Sequence, residues 1–145
     1  MADTLPTKAI SIRHPWAWAI VHAGKDIENR DWPTRFRGPV CIHASLYKPR
    51  QDDVDDFNDT FCRAVPDEVE RRLICPRFTE ALSLEKGGII AVAEIIDCVD
   101  ASDSPWFFGR YGLVLRNVRR VPLIPVKGAL GFFDWRKNLP VQEAA

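Results

Sequence analysis

The sequence predicts an α+β domain, a small and strongly bent β-barrel with helices inserted between its strands. Three observations predict it. Several short stretches carry the alternation or the β-branched density of strands. Helical patterning is confined to two places, after the first strand and after the third. No alternating βαβα pattern runs through the chain, which argues against a doubly wound sheet. One run, Ile89 to Val99 (IIAVAEIIDCV), is so apolar and β-branched that it belongs at the buried centre of a sheet. A small barrel suits such strands.

Each element has a local reason. Lys8 to Arg13 alternates, with Ile10 and Ile12 on one side and Ser11 and Arg13 on the other, as a strand does. His14-Pro15 breaks it, and Pro15 suits a first helical position because its missing N–H would have no partner there. Trp16, Ile20 and Ala23 share a helical face and Gly24 stops the helix, so a short helix spans Pro15 to Ala23. Lys25 to Arg30 is polar apart from Ile27 and reads as an extended segment with one side presented to a cleft. Trp32-Pro33 and Arg35 to Gly38 form a loop. Pro39 to Ala44 is a strand with Val40, Ile42 and Ala44 facing one way and Cys41, His43 and Ser45 the other. Gln51 to Ser83 is helical: acids open it, Phe57 and Phe61 make an i,i+4 pair, and Pro66 begins a second helix with Val69 and Leu73 inward. Pro76 ends that helix, and a third covers Phe78 to Leu84. Gly87-Gly88 turns into the Ile89 strand. A loop ending in SPWFFG leads to a further strand from Tyr111 to Val121, with bends at Pro122, Pro125 and Gly128.

At 145 residues the chain suits one domain, over 6–138, followed by a flexible tail over 139–145. Its 46% hydrophobic and 28% charged residues are those of an ordinary globular protein. No apolar run approaches the ~18 residues of a membrane span. The start, MADTLPTKA, has no apolar signal core, so a cytoplasmic protein is expected. The four cysteines lie far apart and the three histidines supply no matching pair, so no metal site is expected. The net charge of zero hides segregation. Lys8 to Arg50 holds eight Lys/Arg against three acids, Gln51 to Arg72 eight acids against three Arg, and Arg110 to Lys137 seven Lys/Arg against one acid. If the basic segments meet, they form an anion-binding face without a basic pI.

The Lys8 to Arg50 segment also holds Trp16, Trp18 and Trp32 and all three histidines, which makes it the expected functional centre. Lys25 follows the helix stop and sits at a cleft mouth, where burial or a nearby cation would make its amine a base or nucleophile. Glu94, an acid inside an apolar strand, needs a cation or must lie at a wet rim. Glu28 and Arg30 point the same way, to a base edge and a phosphate or to each other. Trp16 and Trp18 cannot share one helical face, so one is core and the other partly exposed. Trp16, Trp18 and Trp32 are candidates to stack a base, and Arg13, Arg35, Arg37, Lys48 and Arg50, with Arg116, Arg119, Arg120 and Lys127, to meet phosphate. His43, Ser45 and Tyr47 alternate on one side and point into the same cleft, or His43 is a satisfied structural residue.

Three of these stretches in this order resemble the ASCH domain, the activating-signal-cointegrator-1 homology family of the PUA-like superfamily. They are Ile10-Ser-Ile-Arg-His-Pro-Trp-Ala17, Gly24-Lys-Asp-Ile-Glu-Asn-Arg30 with Trp32, and Arg37-Gly-Pro-Val-Cys-Ile-His-Ala-Ser45. GIIAVAEI, YGLVL and KGALGFFDW add to a resemblance covering Lys8 to Trp135. It implies a PUA-like β-barrel with a cleft beside the first helix, and binding of RNA or other nucleic acid without a cofactor. Some small bacterial members are amidohydrolases that deacylate N4-acetylcytidine, and ribonuclease activity is attributed to others. Lys25 matches the catalytic lysine of the amidohydrolases and Glu94 a glutamate they use, whereas Glu28 stands where they have threonine.

Two readings of function follow. The first is a module binding RNA or a modified nucleotide in a basic, aromatic-lined cleft. The second is a hydrolase, a ribonuclease or an N4-acetylcytidine-type amidohydrolase, using Lys25 and Glu94 with Glu28 beside them. A protein-interaction module using the acidic Asp52 to Glu70 segment is a third and has less in its favour.

Overall fold

A computed structural model describes residues 4–74 and 85–140. In chain order the elements are β1 (Lys8–Ile12), α1 (Trp16–His22), β2 (Ile27–Arg30), β3 (Gly38–Ala44), α2 (Gln51–Ala64), α3 (Glu68–Ile74), β4 (Gly88–Val99), β5 (Tyr111–Pro125) and β6 (Phe132–Asp134). A 3₁₀ turn over Trp135–Asn138 follows. All six strands form one sheet in the order β2-β5-β4-β3-β1-β6. Only β1 and β3 run parallel, with Ile10 beside Ile42; the other neighbours are antiparallel. Among the described residues the sheet is a curled half-barrel carrying three helices, a PUA-like α+β fold as the sequence predicts.

The curl has a visible cause. The β4–β5 ladder slips register between Ile89 and Ala91, between Val92 and Glu94, and between Ile95 and Asp97. Each slip bends its strand and adds right-handed twist. Asn117, in β5, takes the left-handed conformation at φ 54°. At the start of β4 the two strands come so close that a Cβ on Gly88 would lie 2.3 Å from the Ile124 carbonyl oxygen.

The concave face is filled by Ile10, Ile12, Val40, Ile42, Ala91, Ala93, Ile95, Leu113 and Leu115, with Ala17 and Ile20 of α1. Each fully buried aliphatic side chain contributes about 1.5–3 kcal/mol. Trp18 and Ala19, also on α1, join a second cluster with Ile27, Trp106 and the α2 pair Phe57 and Phe61. The Phe57 and Phe61 rings lie 5.4 Å apart, as their spacing predicts. On the convex face Ala9, Cys41, Ile89, Val92 and Trp135 form a third cluster. The central strands β3 and β4 are therefore covered on both sides, which is why their sequences read as nearly continuous apolar runs. Gly24, at φ +70°, ends α1 as expected.

One helix differs from expectation. Val69 and Leu73 of α3 do not face inward but are 67% and 82% exposed. The helix is held instead by Arg71, whose Nη1 donates to the Val65 and Pro66 carbonyls at 2.7 and 2.8 Å. The predicted end at Pro76 and helix over Phe78 to Leu84 lie outside the described residues, as does most of the predicted tail. No helix among the described residues is long and apolar enough to cross a membrane.

Candidate functional site

The half-barrel leaves a seam. β2 is one edge of the sheet and β1 lies next to the other, yet the curl brings them within reach of a single side chain. Arg30, on β2, donates from Nη2 to the Ser11 carbonyl of β1 at 2.9 Å. Farther out, Trp32 meets Phe132 of β6 edge-on at 5.6 Å. Along this seam run two adjoining cavities of about 570 and 550 Å³, sharing Trp16, Glu28, Asn29 and Phe108 in their walls.

The floor is a charged triad from one short stretch. Lys25 follows the Gly24 turn and is only 2% exposed. Its Nζ donates to the Ile27 carbonyl and lies 3.6 Å from Glu28 Oε1. Glu28 Oε2 accepts from Arg30 Nη2 at 2.8 Å. Strand alternation puts Glu28 and Arg30 on one side, and the mutual brace allowed by the sequence is the one formed. Burial pushes the Lys25 amine below its ordinary value, and the Glu28 carboxylate pulls partly against that shift.

Two aromatic rings flank the floor. Trp16 is half-buried while Trp18 is core, as two positions on one helix require. The Lys25 ammonium lies 5.7 Å from the Trp16 ring centre. Phe108, 43% exposed, comes from the loop between β4 and β5. Asn29 holds that loop with both ends of its amide. Its Nδ2 donates to the Trp106 carbonyl and its Oδ1 accepts from the Phe108 amide, each at 2.9 Å. The far wall of the inner cavity is α2, through Asp56, Asp59, Thr60 and Arg63. The Arg63 guanidinium sits 5.6 Å from the centre of the Phe108 ring.

The sequence missed Asn29, Phe108 and these four α2 residues as site residues. The helical spacing of 56, 59, 60 and 63 places them on one face, and SPWFFG marks the loop. Neither signal says that the face and the loop meet the Lys25 segment.

Of the predicted residues, Lys25, Glu28, Arg30, Trp16, Arg13 and Trp32 gather along this cleft. Tyr47 lies beneath Arg13, 4.0 Å from guanidinium to ring centre, and its hydroxyl donates to Asp53 Oδ2 at 2.7 Å. His43, Ser45 and Lys127 line a different cavity of about 760 Å³ that shares only Ser11 with the cleft. His43 is buried, donating from Nε2 to the Val126 carbonyl and accepting at Nδ1 from the Ser11 hydroxyl, both at 2.8 Å. Those partners fix the neutral tautomer, and burial lowers its basicity. Arg37 is exposed on the loop before β3, 3.5 Å from Asp97. Lys48 is exposed and lines neither cavity of the cleft.

The predicted pairing of Lys25 with Glu94 is corrected. Glu94 accepts from Asn117 Nδ2 at 3.1 Å in a separate cavity that also includes Arg119. Its neighbours Ala93 and Ile95 fill the concave face, so alternation sends Glu94 to the other side of the sheet. Glu28 is the carboxylate that Lys25 meets. The expectation of a basic cleft is corrected too. Its cations are Arg13, Lys25, Arg30 and Arg63, and its acids are Glu28, Asp31, Asp56 and Asp59, four of each. Among the described residues no group of three or more His, Cys, Asp or Glu is placed to hold a metal ion.

A family model described as the ASCH domain matches residues 10–114. The chain is also similar to Activating signal cointegrator 1 of Homo sapiens, 26% identical over 133 residues, which cover 82% of this chain and 20% of that protein. The chain thus spans about a fifth of the length of that curated relative.

Proposed function

The chain belongs to the ASCH domain family, and on that premise we propose that it is an RNA-binding module of the cytoplasm. It takes one unstacked nucleotide, ordinary or modified, into the seam between β1 and β2. The observation that carries this reading is the preformed cleft, with rings at its sides and a braced set of donors and acceptors at its floor.

The floor has capacity to spare. Lys25 carries three N–H donors and uses two directions, toward Ile27 and Glu28. Each Glu28 oxygen has a second lone pair for a base amino group. The triad is braced before a ligand arrives, so little ordering opposes binding. A base on Trp16 or Phe108 gains ~1–3 kcal/mol from stacking. Arg13, exposed at the outer end, is placed for the adjoining phosphate.

The test is a gel shift and fluorescence titration with labelled single-stranded RNA. Wild type should bind, and Trp16→Ala should bind on the order of ten-fold more weakly. Equal binding by the two proteins would move the site away from the cleft.

A second reading, a hydrolase, is favoured by the depressed Lys25 amine beside Glu28. For an N4-acylated cytidine, Glu28 would take a proton from the attacking water. Lys25 would hold the developing oxyanion and hand a proton to the departing amine. Glu94 has no part in this scheme. Incubation with N4-acetylcytidine should yield cytidine and acetate with wild type and not with Lys25→Ala; unchanged nucleoside with wild type retires the amidohydrolase.

A further inference from the structure

The inner half of the cleft has the wrong charge for a phosphate. Lys25 is taken up by Glu28, and Glu28 is braced in turn by Arg30. What remains on the inner wall is Asp56 and Asp59 against Arg63. The two carboxylates, one helical turn apart on exposed α2, form no ion pair or side-chain hydrogen bond among the described residues. They face the same cavity as the rings of Trp16 and Phe108. The lining of this cavity carries three carboxylates, Glu28, Asp56 and Asp59, against two cations, Lys25 and Arg63, so its balance favours positive over negative charge.

We infer that the inner cavity selects a nucleobase bearing a positive charge, the class made by methylation at a ring nitrogen, over neutral bases. A neutral base gains only stacking there. A cationic ring adds electrostatic attraction to an aromatic face and to two carboxylates in a partly desolvated space. Asp56 and Asp59 would repel a phosphate, which therefore stays at the Arg13 end. The inference rests on the cleft reading above and names the substrate class of that same site.

Three nucleosides separate charge from size. 1-Methyladenosine is cationic at mildly acidic pH, N6-methyladenosine is its neutral isomer, and adenosine lacks the methyl group. Each is titrated against wild type and against the double variant Asp56→Asn/Asp59→Asn, following tryptophan fluorescence and calorimetry. Both positions are exposed, so the folded double variant is expected, and its circular dichroism is compared with wild type. Wild type should bind 1-methyladenosine on the order of ten-fold more tightly than either neutral nucleoside. The double variant should still bind adenosine and lose that preference. If N6-methyladenosine gains as much as its isomer, the methyl group and not the charge is read. The inference then falls while the cleft reading stands. A preference that survives in the double variant also overturns it. If wild type binds none of the three, both readings fall.

Discussion

Lys25 keeps its amine 2% exposed against one carbonyl and one carboxylate, and that burial has a consequence for stability. Desolvation lowers its affinity for a proton in the folded chain below the ordinary value of 10.5. Between the lowered value and 10.5 the unfolded chain holds a proton that the folded chain has released. Stability therefore rises with pH across that window, as the penalty of burying the charge is relieved. Lys25→Met removes the penalty at every pH. Urea unfolding of both proteins at neutral and at alkaline pH should show wild type gaining on the variant as pH rises. A constant difference would mean that the amine titrates as an exposed lysine does. Arg30 is the other test at this scale. Arg30→Ala breaks the seam bond to Ser11 and strips Glu28 of its closest partner, which should cost roughly 2–4 kcal/mol. It should lower the urea midpoint without changing the slope; an unchanged midpoint would mean that the seam needs no brace.

Most elements were legible because their signals are local. Alternation in Lys8 to Ile12, Pro15 and Gly24 around α1, and the Phe57–Phe61 pair each act within a few residues. α3 was misread because two apolar residues four apart look like an inner face, while the anchor is Arg71 on two carbonyls behind it. The close approach of β4 to β5 is equally hidden, since Gly87-Gly88 reads only as a turn. It makes a sharp prediction. Gly88→Ala sets a methyl group 2.3 Å from the Ile124 carbonyl oxygen, and backbone must move to admit it. The loss should be about 1–3 kcal/mol, the usual cost of overpacking. Hydrogen exchange should show it first in the amides of β4 and β5. A variant as stable as wild type would mean that the strand ends part at no cost.

The site was legible where it is local and opaque where it is assembled from afar. Lys25, Glu28 and Arg30 lie within six residues: alternation sets Glu28 and Arg30 on one side, and Lys25 reaches Glu28 from the turn before β2. Phe108 joins them through Asn29 across 79 residues of sequence, and Glu94 leaves them because the curl decides which face is the cleft. The same long-range assembly cancels the segregated charge: the acidic segment becomes α2, and α2 becomes a wall of the cleft. The basic Lys8 to Arg50 stretch is thereby neutralised where the ligand enters. Of the four cleft cations, Lys25 and Arg30 are engaged by Glu28 and Arg63 stacks on Phe108. Arg13 and Arg63 are exposed and form no ion pair with a carboxylate among the described residues, so one or two phosphates should be neutralised on binding single-stranded RNA. The plot of log K against log salt should have a slope between about −0.7 and −1.4. A slope steeper than about −3 would require more phosphate contacts than this cleft can make. The RNA would then lie on another surface, for which the exposed Arg116, Arg119 and Arg120 of β5 are the first residues to substitute.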